Sequence, residues 1–118
     1  MGPWGEEEAK GEGSDVFAVI IRLGSGTFKF RYVDIVDVNN VKRTIFGVGE
    51  NVYYSVQFCN DGESKDTATF TITNLGTGQV IKSDVYPGME PLACGTFSKQ
   101  KLGVMPNTDW NVEFKVTP

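Results

Sequence analysis

One segment of the chain alternates apolar and polar side chains without interruption between two turn sequences. Gly-Glu-Asn precedes it at residues 49–51, and Asn-Asp-Gly follows it at residues 60–62. Its even-numbered positions are all apolar and its odd-numbered positions are mainly polar: Val52, Tyr54, Val56 and Phe58 against Tyr53, Ser55 and Gln57. A period of two in β-branched and aromatic residues is typical of a half-buried strand. The segment therefore predicts a strand that places its even-numbered side chains in a core.

Seven further segments have strand character and are separated by Gly, Pro, Asn and Asp. They are residues 16–23, 27–38, 41–46, 66–73, 79–85, 92–99 and 110–116. No segment has a helical period, and 118 residues with 14 Gly suit short strands joined by tight turns. About eight strands at this spacing indicate a single all-β domain, an immunoglobulin-like antiparallel β-sandwich of about 7–8 strands.

Several segments carry more specific expectations. Residues 16–23 are apolar except Arg22, which favours a strand covered on both faces. Residues 27–38 place Phe28, Phe30 and Tyr32 on one face, and the alternation then slips at Val33, which predicts a bulge. Asn39-Asn40 is a turn sequence, so residues 41–46 are expected to return as a hairpin partner. Trp110 shares the parity of its apolar neighbours in the last segment and is expected in the core.

Charge divides the chain into two parts. Glu6, Glu7, Glu8, Glu12 and Asp15 face only Lys10 at the beginning, so this part carries the whole net charge of −4. Gly-rich acidic sequence buries little surface, so residues 1–14 are predicted to be a flexible tail before a domain at residues 15–118. Trp4 is either a loosely docked residue of this tail or an anchor for a partner. The neutral remainder has no Lys/Arg cluster of the kind that binds nucleic acid, so no nucleic-acid partner is expected.

The residue types argue against catalysis, cofactors and metals. Histidine is absent, which removes Ser–His and Cys–His nucleophile pairs and the commonest metal ligand. Two cysteines without histidine do not make a structural zinc site. Residues 60–66 are rich in oxygen ligands but lack the EF-hand order and contain Lys65, so a solvated turn is expected there rather than calcium. We therefore expect no enzyme, no cofactor and no metal site.

Membrane and export signals are also missing from the sequence. The longest apolar run is far shorter than the roughly 20 residues that cross a bilayer, so no membrane insertion is expected. The first 15 residues have neither a basic n-region nor an apolar h-region and do not form a secretory signal.

The order of turns and strands resembles a known family. An Asp-rich strand at residues 34–38 precedes Gly-Glu-Asn-Val at residues 49–52; Asn-Asp-Gly at residues 60–62 and Tyr-Pro-Gly-Met-Glu at residues 86–90 follow. This pattern resembles CARDB-type domains, immunoglobulin-like sandwiches related to fibronectin type III, over roughly residues 34–116. The usual last strand is missing after Val116, and extra sequence before Asp34 is available to fill an equivalent edge.

The resemblance implies a non-catalytic structural or protein–protein interaction module for adhesion or assembly, at a cell surface or in an extracellular assembly. A cytoplasmic location stays open because no signal peptide is present. In such a topology the strand ending at Cys59 lies beside the strand beginning near Leu92, so a Cys59–Cys94 disulfide and two free thiols are the alternatives.

Partners follow from the same considerations. A protein partner or self-assembly is expected, with Trp4, Tyr53 and Tyr86 as candidate interaction residues. The alternatives are a carbohydrate-binding module, which needs exposed coplanar aromatic rings, and a virion or appendage subunit that assembles through edge strands.

Overall fold

The computed structural model describes residues 15–118, and this part of the chain is built from strands without a helix. One sheet has the order β3-β1-β8-β5-β6 and the other β2-β4-β7. The strands are β1 (Asp15–Gly24), β2 (Phe28–Val36), β3 (Ile45–Gly47), β4 (Asn51–Asn60), β5 (Asp66–Asn74), β6 (Gln79–Met89), β7 (Cys94–Val104) and β8 (Trp110–Thr117). The predicted fold class, an immunoglobulin-like β-sandwich of about 7–8 strands, is confirmed.

Strand β4 is the centre of the smaller sheet and pairs with β2 on one side and β7 on the other. Its alternation has the predicted consequence: Val52, Tyr54, Val56 and Phe58 are all buried. The side chains between them face outward from the sheet and are half-buried.

The core is an aromatic layer between the two sheets. Phe70 of β5 stacks on Phe58 of β4 at 5.3 Å between ring centroids and on Phe97 of β7 at 5.5 Å. The Phe58 ring lies so close to β7 that a Cβ built on Gly95 would come within 2.6 Å of its Cζ atom. Burial of an aromatic side chain contributes roughly 2–3 kcal/mol, so this layer makes a large contribution to stability.

A bulge in β2 is present, two residues earlier than the sequence indicated. The register with β4 shifts between Phe30 and Tyr32, so Arg31 is the inserted residue. After the shift, Val33 lies opposite Val56 on the inner face and Tyr32 lies opposite Gln57 on the outer face. The expectation that Tyr32 shares the face of Phe28 was therefore wrong, because the extra residue reverses the parity of everything after it.

The segment after the Asn39-Asn40 turn does not return as a full hairpin partner. Asn40 adopts the expected left-handed conformation (φ 65°), and the pairing with β2 continues only through a bridge between Val36 and Lys42. The chain then crosses to the other sheet, where β3 pairs antiparallel with the start of β1. Phe46 of β3 is fully buried, and its place in the core accounts for the crossing.

Strand β1 fills the edge beside the last strand and runs parallel to it. Residues 18–24 pair with residues 110–116 of β8. The expectation that β1 is covered on both faces was wrong. Ala18 is buried and Val16 and Ile20 pack against the core, but the side chains of opposite parity are exposed, because no part of residues 15–118 packs on the outside of this sheet.

Candidate interaction surface

A row of exposed apolar side chains runs along the outer face of β1 and onto β3. Phe17 is 50% exposed, Val19 41%, Ile21 38% and Leu23 46%. Ile45, 42% exposed, extends the row because it pairs with Phe17. We call these five residues the apolar row. On its other side lie Asn111, Glu113 and Lys115 of β8, opposite residues 19, 21 and 23. The row is thus a sharply bounded apolar stripe on a polar sheet.

The same strand has an open edge. On one side β1 pairs with β8 through residues 18–24; on the other, β3 pairs only with residues 15–17. The amide of Ala18 donates to the carbonyl of Thr44 at 2.8 Å, on the β3 side. Backbone groups of alternate residues point the same way, so those of Ile20 and Arg22 also point away from β8. No strand among residues 15–118 pairs with them, which leaves a template for strand addition.

A groove lies between this edge and strand β2, and we call it the edge groove. Its larger part has a volume of about 460 Å³ and is lined by Ile20, Arg22, Val33, Asp34, Ile35, Lys42, Arg43 and Thr44. A second part of about 410 Å³ shares Arg22 and adds Gly24, Lys29 and Phe30. The groove therefore follows the open edge of β1 from Ile20 to its end at Gly24.

The edge groove is basic. Four cations line it, Arg22, Lys29, Lys42 and Arg43, against one carboxylate, Asp34. Lys42 lies 3.6 Å from the Asp34 carboxylate. Arg22 and Lys29 form no ion pair with any residue of the described part, so their charges are available to a partner.

Arg43 is committed to a structural network at one end of the groove. Its guanidinium donates to Glu50 (2.5 Å) and to Asp37 (3.2 Å) and lies 4.7 Å above the Phe46 ring. The Asp37 carboxylate also accepts hydrogen bonds from the amides of Val41 and Asn39. The Val41 amide, followed by Arg43, holds the pKa of Asp37 below its usual range. This network fixes the crossing from β2 to β3 and hence the closed end of the groove.

Two of the predicted interaction residues lie on different sheets. Tyr53 is half-buried on the outer face of β4, with the Lys99 Nζ atom 5.6 Å from its ring centroid. Tyr86 of β6 turns towards the other sheet and packs edge-on against Phe58 at 5.5 Å. Its hydroxyl donates to Asp84, and burial, with the charge of Asp84, raises the pKa of Tyr86 to about 12. Trp4, the third, lies outside the described residues.

The aromatic platform considered for sugar binding is not assembled in the described part. Trp110 is 6% exposed, which confirms its predicted place in the core. Tyr53 and Tyr86 do not share a surface, since one faces outward from the smaller sheet and the other faces inward from the larger.

Of the two alternatives for the cysteines, a disulfide and two free thiols, the structure contains the disulfide. Cys59 and Cys94 are directly opposite on β4 and β7, with their Cα atoms 4.0 Å apart, and their sulfur atoms are bonded. Cys59 is buried and Cys94 is exposed. The bond ties the end of the central strand to the start of its neighbour.

Residues 15–118 contain no group of three or more His, Cys, Asp or Glu side chains placed to hold a metal ion. This range also has no helix long and apolar enough to cross a membrane. Comparison of the chain with protein-family models, with curated proteins and with solved structures finds no match to any of them.

The apolar row was missed by sequence reasoning, although its signal is visible. In residues 16–23 both parities are apolar, and this was interpreted as burial on both faces. A sandwich of two sheets has only one inner face per strand. The second apolar parity therefore marked an outer surface rather than a second core.

Proposed function

We propose that this domain is a non-catalytic structural module that binds other protein chains, and in particular copies of itself, through strand β1. The apolar row is the observation that carries the proposal. Its five side chains expose on the order of 300 Å², a size at which surface patches are often functional. The open edge of the same strand adds main-chain donors and acceptors for a partner strand.

The residues of β1 do not protect its edge from pairing with another chain. Edge strands usually carry lysine, proline or a bulge that prevents pairing with another chain. The segment Val16–Ile21 has none of these, and Arg22 is the first charge after Asp15. By contrast, the edge strand β6 at the other end of the sheet carries Lys82, Asp84 and Pro87. An assembly subunit, such as one of a virion or an appendage, is the form of this function that an unprotected apolar edge favours.

We further propose that the module works at a cell surface or in an extracellular assembly. The Cys59–Cys94 disulfide supports an oxidising compartment, where such bonds form and persist. The order of turn sequences shared with CARDB-type domains supports the same setting. Alkylation and mass measurement of the protein taken from its native source, without reductant, tests this: two alkylatable thiols would contradict it.

The assembly role is tested by removing apolar surface without disturbing the core. In the double variant Val19→Thr/Ile21→Thr, β-branched residues stay in place while the row loses its apolar centre. The matched control is Val80→Thr/Val85→Thr, two side chains of β6 that are 56% and 60% exposed at the opposite end of the same sheet.

Sedimentation velocity over a wide concentration range measures the outcome. We expect the unaltered chain to form oligomers that grow with concentration, the β1 variant to associate at least about tenfold more weakly, and the β6 control to behave as the unaltered chain. A chain that stays monomeric throughout, or equal weakening by both variants, would contradict the proposal.

A further inference from the structure

We propose that the edge groove binds the acidic N-terminal segment, residues 1–14, of a second copy of this chain, added as a strand along β1. The inference rests on the proposed function and names the partner segment of that same surface. Three properties of the described residues carry it: an unpaired main-chain edge, a matching charge, and the position at which the segment joins the domain.

The main chain of β1 supplies the first requirement. The peptide groups of Ile20 and Arg22 point into the groove, and no strand of residues 15–118 occupies that side. The open stretch, residues 19–24, is about 17–20 Å long and takes a partner strand of five or six residues. Strand addition at such an edge gives affinity through main-chain hydrogen bonds, with little demand on the sequence of the incoming strand. An acidic, glycine-containing segment is therefore acceptable provided that its charges find partners.

The groove supplies those partners. Arg22 and Lys29 carry charges that no other described residue pairs within 4 Å, and Lys42 lies beside them with its side chain 75% exposed. The segment presents Glu6, Glu7, Glu8 and Glu12 against Lys10 alone, while the rest of the chain is close to neutral. The one strongly acidic stretch of the molecule thus complements its basic groove. Charge complementarity of this kind selects and orients a partner.

The point of attachment favours a second copy over the segment's own domain. The segment joins the domain at Asp15, where β3 occupies the groove side of β1. To reach its own groove it would have to reverse direction and pass around β3. The segment of another copy is not tied to Asp15 and can approach residues 19–24 without passing around β3. Fourteen extended residues span at most about 45–50 Å, more than twice the length of the open edge.

The arrangement also explains why the apolar row lies on the same strand as the groove. Successive side chains of an added strand alternate between the two faces of the sheet. One set would face the groove cations, and the other would lie beside Val19, Ile21 and Leu23 as cross-strand neighbours.

A donor segment on one copy and an acceptor groove on the next make a heterologous contact. Such contacts produce open chains of copies unless the rotation between subunits closes a ring. The oligomers should therefore grow beyond the dimer as concentration rises, and added salt should weaken them because exposed ion pairs are screened.

The experiment reverses charges in the full-length chain, with no truncation. The acceptor variant is Arg22→Glu/Lys29→Glu, and the donor variant is Glu6→Lys/Glu8→Lys, which changes two residues on the same side of an extended strand. The control, Lys65→Glu/Lys101→Glu, reverses two exposed cations outside the groove. Circular dichroism and the thermal transition of each variant establish that it is folded before association is measured.

The acceptor variant and the donor variant, each measured alone, should associate at least about tenfold more weakly than the unaltered chain. The control should associate as the unaltered chain does. An equimolar mixture of the two variants should recover association. In that mixture the unaltered segment of one meets the unaltered groove of the other, and the two reversed surfaces meet each other with complementary charge. A combined variant carrying all four changes should also recover association.

Three outcomes would overturn the inference. Association that survives both reversals but is lost in Val19→Thr/Ile21→Thr would leave the proposed function standing and remove the N-terminal segment as partner. Loss of association in both the acceptor and the donor variant, without recovery in their mixture, would also overturn it. The third such outcome is a chain that stays monomeric and whose Trp4 fluorescence responds to Arg22→Glu at every concentration, because this would place the segment on its own domain. Trp110 is buried and provides the unchanged fluorescence background.

Discussion

Strands β1 and β4 are both ten residues long and both rich in apolar side chains, yet the fold uses them differently. β4 lies in the middle of its sheet, buries every second side chain and is bonded covalently to β7. β1 lies beside β8 with its other edge largely open, and four of its large apolar side chains are exposed. Hydrophobicity alone does not separate these two strands. A strand of a sandwich can bury the side chains of one face, and the alternation of β4 matches this. β1 is apolar on both faces, so it carries more apolar surface than the sandwich can bury.

The excess is informative because a two-layer fold has a fixed capacity for apolar faces. A strand in such a sandwich faces the opposite sheet with one parity and the outside with the other. The outward-facing side chains of β4 are half-buried and include Ser55 and Gln57, whereas residues 17, 19, 21 and 23 of β1 are all apolar and exposed. No part of residues 15–118 covers this row, which is the observation behind the proposed contacts with other chains.

The same substitution in the two strands should have very different consequences for stability. Phe58→Ala removes a fully buried ring from the aromatic layer of β4 and should lower the free energy of unfolding by about 3–5 kcal/mol. Phe17→Ala removes a half-exposed ring from β1 and should lower it by less than about 1 kcal/mol. Denaturant unfolding at low protein concentration measures both. Similar losses in the two variants would mean that the row is part of the folded core.

The sequence also predicted the structure of β4 more accurately than that of β1. Alternation located β4 and β8 and assigned their inner faces correctly, including Phe58 and Trp110. The errors came where long-range contacts decide. The bulge at Arg31 reversed the parity of Tyr32, and the burial of Phe46 drew residues 45–47 across to the other sheet. The bulge has a local signal only at Val33, two residues after its position, and the crossing has no local signature strong enough to override the pattern of its neighbours.

The interaction surface was less predictable than the fold. Tyr53 and Tyr86 were candidate interaction residues, but one faces outward and the other packs on Phe58. The edge groove depends on three segments distant in the sequence, at residues 20–24, 29–35 and 42–44, whose approach follows from the topology. The Cys59–Cys94 pairing was accessible because it required only the register of two neighbouring strands.

Removal of the disulfide tests whether the covalent bond between β4 and β7 affects stability without affecting association through β1. The bond closes a loop with a sequence separation of 35, for which the chain-entropy model gives a stabilisation of roughly 3–4 kcal/mol, and 2–4 kcal/mol is typical. Cys59→Ala/Cys94→Ala should lose stability in this range while leaving the concentration dependence of association unchanged, since neither cysteine belongs to β1 or lines the edge groove. If the variant also lost association, the surface of β1 would not be independent of β4. Guanidinium unfolding and sedimentation, measured on the same samples, compare the two effects.

The smallest expected effect on stability concerns the network of Asp37, Arg43 and Glu50, which fixes the crossing to β3 and so supports the start of β1. Hydrogen bonds from the Val41 amide, with those from Arg43 and the Asn39 amide, hold the pKa of Asp37 below its usual range in the folded state. A carboxyl with a lowered folded pKa stabilises the fold above its unfolded pKa of about 4, and that contribution is lost as pH falls through the folded pKa. Asp37→Asn should therefore be less stable than the unaltered chain at neutral pH, and the difference should narrow below about pH 4.

Amide signals in a pH titration by NMR would show which strand depends on this network. The Ala18 amide, which donates to Thr44 just beyond Arg43, should shift as the Asp37 carboxyl is protonated, while amides in the middle of β4 should not. The control Asp61→Asn breaks an exposed pair with Arg31, and its smaller stability loss should vanish in about 0.5 M salt. Equal acid sensitivity in β1 and β4 would contradict the difference drawn between them, because β4 is held by apolar burial and a disulfide, neither of which titrates in this range.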